Sequence, residues 1–262
     1  MYKIYNGTDF NLSISYSEEK ATEYVLHNHN NVCEILFFLK GNSSFVVEGT
    51  EYPLSPEDFI IARHDEMHRV IHHLPCTYGR LIINFDIDFF ENNGCGEYAS
   101  AFFDRPAGSG NLFCAESSRR AVDALQRLII YLREDAPDII LRGVLCEVLR
   151  CISKREESTE GNVTSPRLRD IILYINENLS LSLSLEDLSS RFFISKYHLC
   201  RLFKGQTGMT LGQYITAKRL LRAEELHSSG MSLTDAAVSA GFSDYSSYWH
   251  AVRKQKIASR RA

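Results

Sequence analysis

The 262 residues predict an α+β chain, with a small N-terminal β-barrel or sandwich and attached helices, followed by an all-α C-terminal domain. Three observations predict it. Residues 1–90 hold short β-branched and aromatic runs cut by Gly and Pro, while the chain after Pro166 repeats its apolar positions at helical spacing. Between them, residues 154–166 are polar, include Gly161 and Pro166, and lack apolar periodicity, as an exposed linker does. Charge divides at the same place. Residues 1–166 carry 15 Lys and Arg against 25 Asp and Glu, a balance of −10, whereas residues 167–262 carry 14 against 8, a balance of +6. The net charge of −4 thus hides a basic block suited to phosphates, attached to an acidic remainder. The expected boundaries are 1–153, a linker at 154–166, and 167–262.

In the first part, strands are expected at Val32–Leu39, Ser44–Glu48, Asp58–Ala62 and Arg80–Phe85, separated by turn signals at Gly41, Asn42, Gly49, Pro53 and Pro56. Two amphipathic helices follow, Ser117–Asp135 through Val122, Leu125, Leu128, Ile129 and Leu132, and Asp138–Ile152 through Leu141, Val144, Leu145, Val148 and Leu149.

The second part opens with a helix on Leu168, Ile171, Ile172 and Ile175. Ser184 then caps a short helix carrying Leu185, Leu188 and Phe192, and after a tight turn Ser195 caps the next. In that helix Leu199, Leu202 and Phe203 form the inward stripe, while Lys196, Tyr197, Cys200, Arg201 and Lys204 lie on the other side. A short helix with an apolar back and a basic, aromatic front suits the DNA major groove. Residues Gly205–Gly208 are expected to break it, and Leu211–Leu226 to form a longer helix. The short-helix-and-turn pattern then recurs from Ser232 to Ser243, with a second reading helix over Asp244–Lys254. Ser195 matches Ser243 at an offset of 48 and Arg201 matches His250 at 49, so the second turn holds one extra residue. The two helix-turn-helix units are expected at 184–205 and 232–254.

These residues resemble the AraC-type family of bacterial transcription regulators. The likeness is carried by the run from Leu183 to Ile215, by Arg219, Leu220, Ala223 and Leu226 of the long helix, and by the run from Gly241 to Tyr248. The resemblance implies two helix-turn-helix units on a rigid helix, set to enter successive major grooves about 34 Å apart. It implies base-facing positions at Lys196, Tyr197, Cys200 and Arg201 in the first unit, with Lys204 beside them. In the second unit it implies Tyr245, Ser246, Trp249 and His250. The likeness ends abruptly after Tyr248. Val252 stands where the family keeps a core aromatic, Ile257 and Arg260 stand where it has Gly and Pro, and its last helix is missing. Losing Phe for Val in a small core costs on the order of 2–3 kcal/mol, so a marginal second unit is expected. A frameshift or truncation just after Trp249 would explain such an end.

In the first part, His27, His29, Glu34 and Gly41, followed by a segment from Asp58 to His68, resemble a cupin barrel of the kind common in AraC-type sensor domains. Two imidazoles and a carboxylate from one region, with His68 from another, are a donor set for a divalent first-row metal. Cupin enzymes carry a Pro-x-Gly-x-x-His where this chain has Arg63 and Asp65. The expectation is therefore effector contact through His27, His29, Glu34, Arg63 and His68, with no cofactor and metal only as the lesser reading of His27, His29, Glu34 and His68.

The seven cysteines are odd in number, scattered and without a C-x-x-C pair, and read as reduced and mostly buried. No apolar run reaches the roughly 18 residues of a membrane span, and residues 1–3 lead into a strand pattern instead of a signal peptide, so a cytoplasmic, membrane-free protein is expected. The function expected is sequence-specific regulation of transcription, with no enzyme activity. The expected partners are double-stranded DNA, a small-molecule effector such as a sugar, RNA polymerase if the protein activates, and a second copy of the chain. The other readings are a metal-dependent cupin isomerase or dioxygenase with a DNA-binding appendage, and a DNA-binding protein whose pocket serves only assembly.

Overall fold

The computed structural model describes residues 2–7, 12–22, 26–29, 31–154 and 165–259. It divides into two compact units, Met1–Thr164 and Ser165–Ala262. Most of the linker expected at 154–166 lies outside the described residues, as does Arg260.

In the first unit, β1 (Tyr2–Asn6), β2 (Ser13–Lys20), β3 (Val32–Lys40), β6 (Phe59–Ala62), β8 (Thr77–Asp86) and β9 (Leu112–Phe113) form one sheet in the order β1-β2-β8-β3-β6-β9. A second sheet has the order β5-β4-β7, from β4 (Ser43–Val47), β5 (Thr50–Pro53) and β7 (His68–His72). Every pairing is antiparallel. Helices α1 (Asp88–Asn92) and α2 (Ser100–Phe103) precede the longer α3 (Arg119–Arg133) and α4 (Asp138–Ser153).

The expected strands are all present, and β3 explains why its run is almost wholly apolar. Alternate residues Cys33, Ile35 and Phe37 join a core with Leu125, Leu128, Leu145 and Val148 of α3 and α4. Leu36 and Phe38 point the other way, into a second core with Phe45 and Val47 of β4, Tyr52 of β5 and Val70 of β7. The large sheet is therefore covered on one face by helices and on the other by the small sheet, and its central strand has no wet face. Glu34 shares a face with Leu36 and Phe38, so its carboxylate enters the space between the sheets. Glu48 (φ 47°) and Gly49 (φ 79°) form the two-residue turn from β4 to β5, whose left-handed geometry matches the strand twist.

The second unit contains α5 (Pro166–Glu177), α6 (Leu185–Arg191), α7 (Lys196–Thr207), α8 (Leu211–Ser228), α9 (Leu233–Ser239) and α10 (Tyr245–Ser259). Two expectations need correction. Gly205 does not break α7. The helix runs through it to Thr207 and stops at Gly208, whose φ of 77° supplies the left-handed cap. The final helix does not end at Lys254, because residues 245–259 contain no Gly or Pro to stop it. The two caps expected from sequence, Ser184 and Ser195, each accept a backbone N–H of the first turn, as do Ser165 and Ser232, and Ser184 forms a reciprocal capping box with Asp187.

Candidate functional site

The α6–α7 pair is built from local signals. Leu188 of α6, with Leu199 and Phe203 of α7, is fully buried, and Phe203 packs edge-on to Tyr214 of α8 with ring centroids 5.3 Å apart. The opposite face of α7 is left open: Lys196, Tyr197, Cys200, Arg201 and Lys204 are all exposed. Tyr197 is 76% exposed, and the Arg201 guanidinium lies 5.9 Å from its ring centroid. The two side chains thus form a joint cationic and aromatic surface one helical turn apart. Lys196 is less free than its sequence position suggests, since its ammonium pairs with Glu186 of α6.

The second unit differs in a measurable way. Its reading helix is capped by Asp244, whose Oδ1 accepts the Ser247 N–H at 2.7 Å. The extra residue of the second turn therefore lies just before the cap, which is Asp244 in place of the expected Ser243. Tyr245, Ser246, Trp249 and His250 are exposed. Trp249 and Tyr245 stand edge-on with centroids 6.1 Å apart, and Tyr248 joins them at the same separation. Tyr248 and Val252 occupy the positions that Leu199 and Phe203 hold in the first unit, yet both are only half-buried. Among the residues of α10 whose side chains are described, none is fully buried. The weaker second core expected from Val252 is thus visible; the side chain of Ile257 lies outside the described residues.

In the first unit, four of the five expected effector residues come together. Backbone hydrogen bonds run both ways between His27 and His68, at 3.0 and 2.8 Å, and clip the 26–29 segment to β7. The nitrogens of His27, His29 and His68 that face one another lie within 4.8 Å. Glu34 Oε2 is 3.1 Å from His29 Nε2, and its Oε1 is 3.7 Å from His68 Nε2. Burial raises the Glu34 carboxyl, but the His29 hydrogen bond and the surrounding imidazoles outweigh it and hold the group at about 2. Burial pulls His68 down to about 4. Burial also lowers His29, but its bond to Glu34 and that carboxylate's charge prevail and raise it. At neutral pH the cluster therefore presents a carboxylate and a neutral buried imidazole.

The tautomer of His68 is set from behind. Its Nδ1 lies 2.9 Å from the Glu66 carbonyl, an acceptor, so Nδ1 carries the proton and Nε2 presents a lone pair. That Nε2 has no hydrogen-bond partner, in a side chain only 1% exposed. An inward lone pair held by an outer hydrogen bond is the usual arrangement of a metal-ligating histidine, so the residues fit a divalent ion. His27, His29, His68 and Glu34 would hold it, and it would supply a Lewis-acid anchor for an oxygen-bearing ligand.

Arg63 stands apart from the cluster. Its Nε meets Asp65 at 2.6 Å and its guanidinium donates to the Arg105 carbonyl at 3.0 Å. The residue that sequence reasoning missed is Arg105, 39 positions from the carboxylate it serves. It meets Glu66 in a two-pronged pair at 2.7 Å on each oxygen. Glu66 is 0% exposed and also accepts N–H bonds from Gly108, Asn111 and Arg63. Its acidic sequence neighbourhood gave no sign of the partner.

Of the seven thiols, Cys33 and Cys95 are buried, four are half-buried, and Cys200 is exposed on α7, so "mostly buried" does not hold. All are free. Burial pushes the Cys33 thiol up, and Cys146 up to about 12, which disfavours the reactive thiolate at both. Among the described residues no helix is long and apolar enough to cross a membrane.

A family model described as a helix-turn-helix domain matches residues 188–259. A probable transcriptional regulator, LumQ of Photobacterium leiognathi, is 25% identical over 245 residues, 92% of each chain. The multiple antibiotic resistance protein MarA of Salmonella typhimurium is 38% identical over 82 residues, covering 31% of this chain and 65% of that one. Among solved structures, ToxT of Vibrio cholerae aligns over 95% of this chain and 94% of its own, with 11% identity and a TM-score of 0.41. The C-terminal unit thus contains a helix-turn-helix domain over residues 188–259, and over nine-tenths of its length the chain is similar to a probable transcription regulator.

Proposed function

We propose that this regulator is controlled by a small molecule bound at the His27, His29, Glu34 and His68 cluster, and that it reads DNA chiefly through the exposed face of α7. The observation that carries the DNA part is the Tyr197–Arg201 surface on a helix whose back is fully buried. Arginine can donate two bonds to guanine, while its aromatic neighbour suits a thymine methyl or a sugar. Lys204 and Lys196 fit phosphates, and Tyr245, Ser246, Trp249 and His250 are the corresponding contacts of the second unit. Because α10 is less firmly seated, recognition is weighted toward the first half-site. Replacing Arg201 with Ala is expected to weaken binding to a selected duplex by about 1–3 kcal/mol and to relax base preference at one position. Unchanged affinity and preference in an anisotropy titration would remove α7 from the groove.

Effector control requires that the ligand favour one arrangement of the chain over another. A polyhydroxy compound such as a sugar fits a cluster of carboxylate and imidazole acceptors and donors. A second copy of the chain is supported by the exposed Ile130 of α3 and Ile139 and Ile140 of α4. RNA polymerase is a partner if the regulator activates. Residues 1–153 and 167–262 are the sensing and DNA-binding parts.

The inward Nε2 of His68 favours a second reading of the same cluster, in which a divalent ion bridges protein and effector. Chelator-treated protein titrated with Zn²⁺ or Ni²⁺ is then expected to gain thermal stability, by roughly 3 kcal/mol at a hundredfold excess over Kd. His68→Ala is expected to abolish the gain. An equal gain in wild type and His68→Ala would place the ion elsewhere.

A further inference from the structure

The turn between α6 and α7 holds a bulky aromatic residue in a backbone conformation that favours glycine. Phe193 has a φ of 49°, and its side chain is 92% exposed, more than any other exposed large apolar side chain among the described residues. The equivalent position of the second unit, 48 residues on, is Gly241 with a φ of 101°. The same turn is thus made twice, once with the residue that suits it and once with one that does not.

Folding does not account for the choice. The neighbours of Phe193 pack against the fold: Ile194 is 8% exposed, and the half-buried Phe192 ring meets Tyr174 edge-on at 5.7 Å. The Phe193 ring instead stands in water, where it adds strain without burial. Its surroundings are those of a nucleic-acid surface. It lies two residues before Ser195, the cap of α7, and four before the exposed Tyr197 on the first turn of that helix. Exposed Arg191 lies on the other side of the turn, stacked at 4.0 Å on the Tyr174 ring.

We propose that Phe193 is a DNA-contacting residue, whose ring packs on the deoxyribose edge of the groove entered by α7. The inference rests on α7 being the groove-reading helix. It adds an apolar anchor just outside the base-reading face, and assigns the strain of the turn to binding.

The test uses the full chain, a duplex enriched by wild-type protein from a random pool, and the variants Phe193→Gly, Phe193→Asn and Phe193→Tyr. Gly and Asn tolerate the left-handed conformation, so both are expected to unfold at higher temperature than wild type. Both are expected to bind the duplex about fivefold or more weaker, with an unchanged slope of affinity against salt, because the lost contact is apolar. Phe193→Tyr is expected to keep wild-type affinity. Wild-type affinity in Phe193→Gly overturns the proposal, and so does a loss confined to transcription in a reporter assay, which would mark a polymerase contact. The proposal and the underlying reading fail separately. If Arg201→Ala binds as wild type while Phe193→Gly is weakened, the turn touches DNA but α7 is not in the groove. If wild type enriches no duplex, both are overturned.

Discussion

Replacing Arg105 with Ala is expected to destabilise the N-terminal unit by about 3–5 kcal/mol, because it strands the Glu66 carboxylate where no water reaches. The pair is buried on both sides, with side chains 10% and 0% exposed. Arg105 also donates to the carbonyls of Ala101 at 3.2 Å and Ser109 at 3.0 Å, so it ties α2 and the following loop to the β6–β7 connection. What remains after truncation is a carboxylate with three neutral N–H donors, from Gly108, Asn111 and Arg63. Glu66→Gln is expected to cost less, since it removes the charge that needs compensation while keeping the shape. The two variants therefore separate an electrostatic role from packing. Calorimetry should report the change, because the single tryptophan, Trp249, lies in the other unit and its emission should follow a different transition. A loss below about 1 kcal/mol for Arg105→Ala would mean that water reaches the carboxylate. The effect should also reach the histidine cluster, because the Glu66 carbonyl fixes the proton of His68.

That network illustrates where sequence reading stops. The helices of the second unit were legible because their signals are local: Ser184, Ser195 and Ser232 stand immediately before their helices, and the apolar stripe recurs within one or two turns. The central strand β3 was legible because burial on both faces leaves an apolar run. Strand β7 was not, since His68, Arg69 and His72 make it polar and only its pairing with β4 makes it a strand. Strand β2 alternates Ser13, Ser15 and Ser17 with Ile14 and Tyr16, a period-two pattern whose partner β8 lies some sixty residues away. In the candidate site, His27, His29, Glu34 and His68 could be grouped by residue type and spacing. Arg63 was grouped with them because it stands in the second segment of the cupin resemblance, yet its guanidinium turns to Asp65 and the Arg105 carbonyl. Glycines show the same limit. Gly205 and Gly208 look alike in sequence, but only Gly208 has the φ that needs glycine.

Gly241→Ala is expected to cost the C-terminal unit about 3–5 kcal/mol, as backbone strain and steric overlap add. At a φ of 101° any side chain is strained. The added methyl would also fall on the Leu179 carbonyl oxygen, well inside contact distance, and 2.7 Å from Arg219 Nε. Neither neighbour can move cheaply, because Arg219 Nε donates to that same carbonyl at 3.0 Å and its Nη2 donates to the Leu181 carbonyl at 2.8 Å. The turn of the second helix-turn-helix is thus seated against the loop that follows α5 and against α8, the helix shared by both reading units. Displacing it should disturb both units, so DNA affinity should fall by more than removal of the second unit's contacts alone would cause. Gly205→Ala provides the opposite sign from the same chemical change. It lies inside α7 with nothing within 4 Å of an added methyl, and is expected to gain about 0.5–1 kcal/mol. Emission of Trp249 during denaturation reads both variants. An unfolding midpoint of Gly241→Ala equal to wild type would show that the turn can pull away from Leu179, and with it that the second unit is not held by α8 in the way the packing requires.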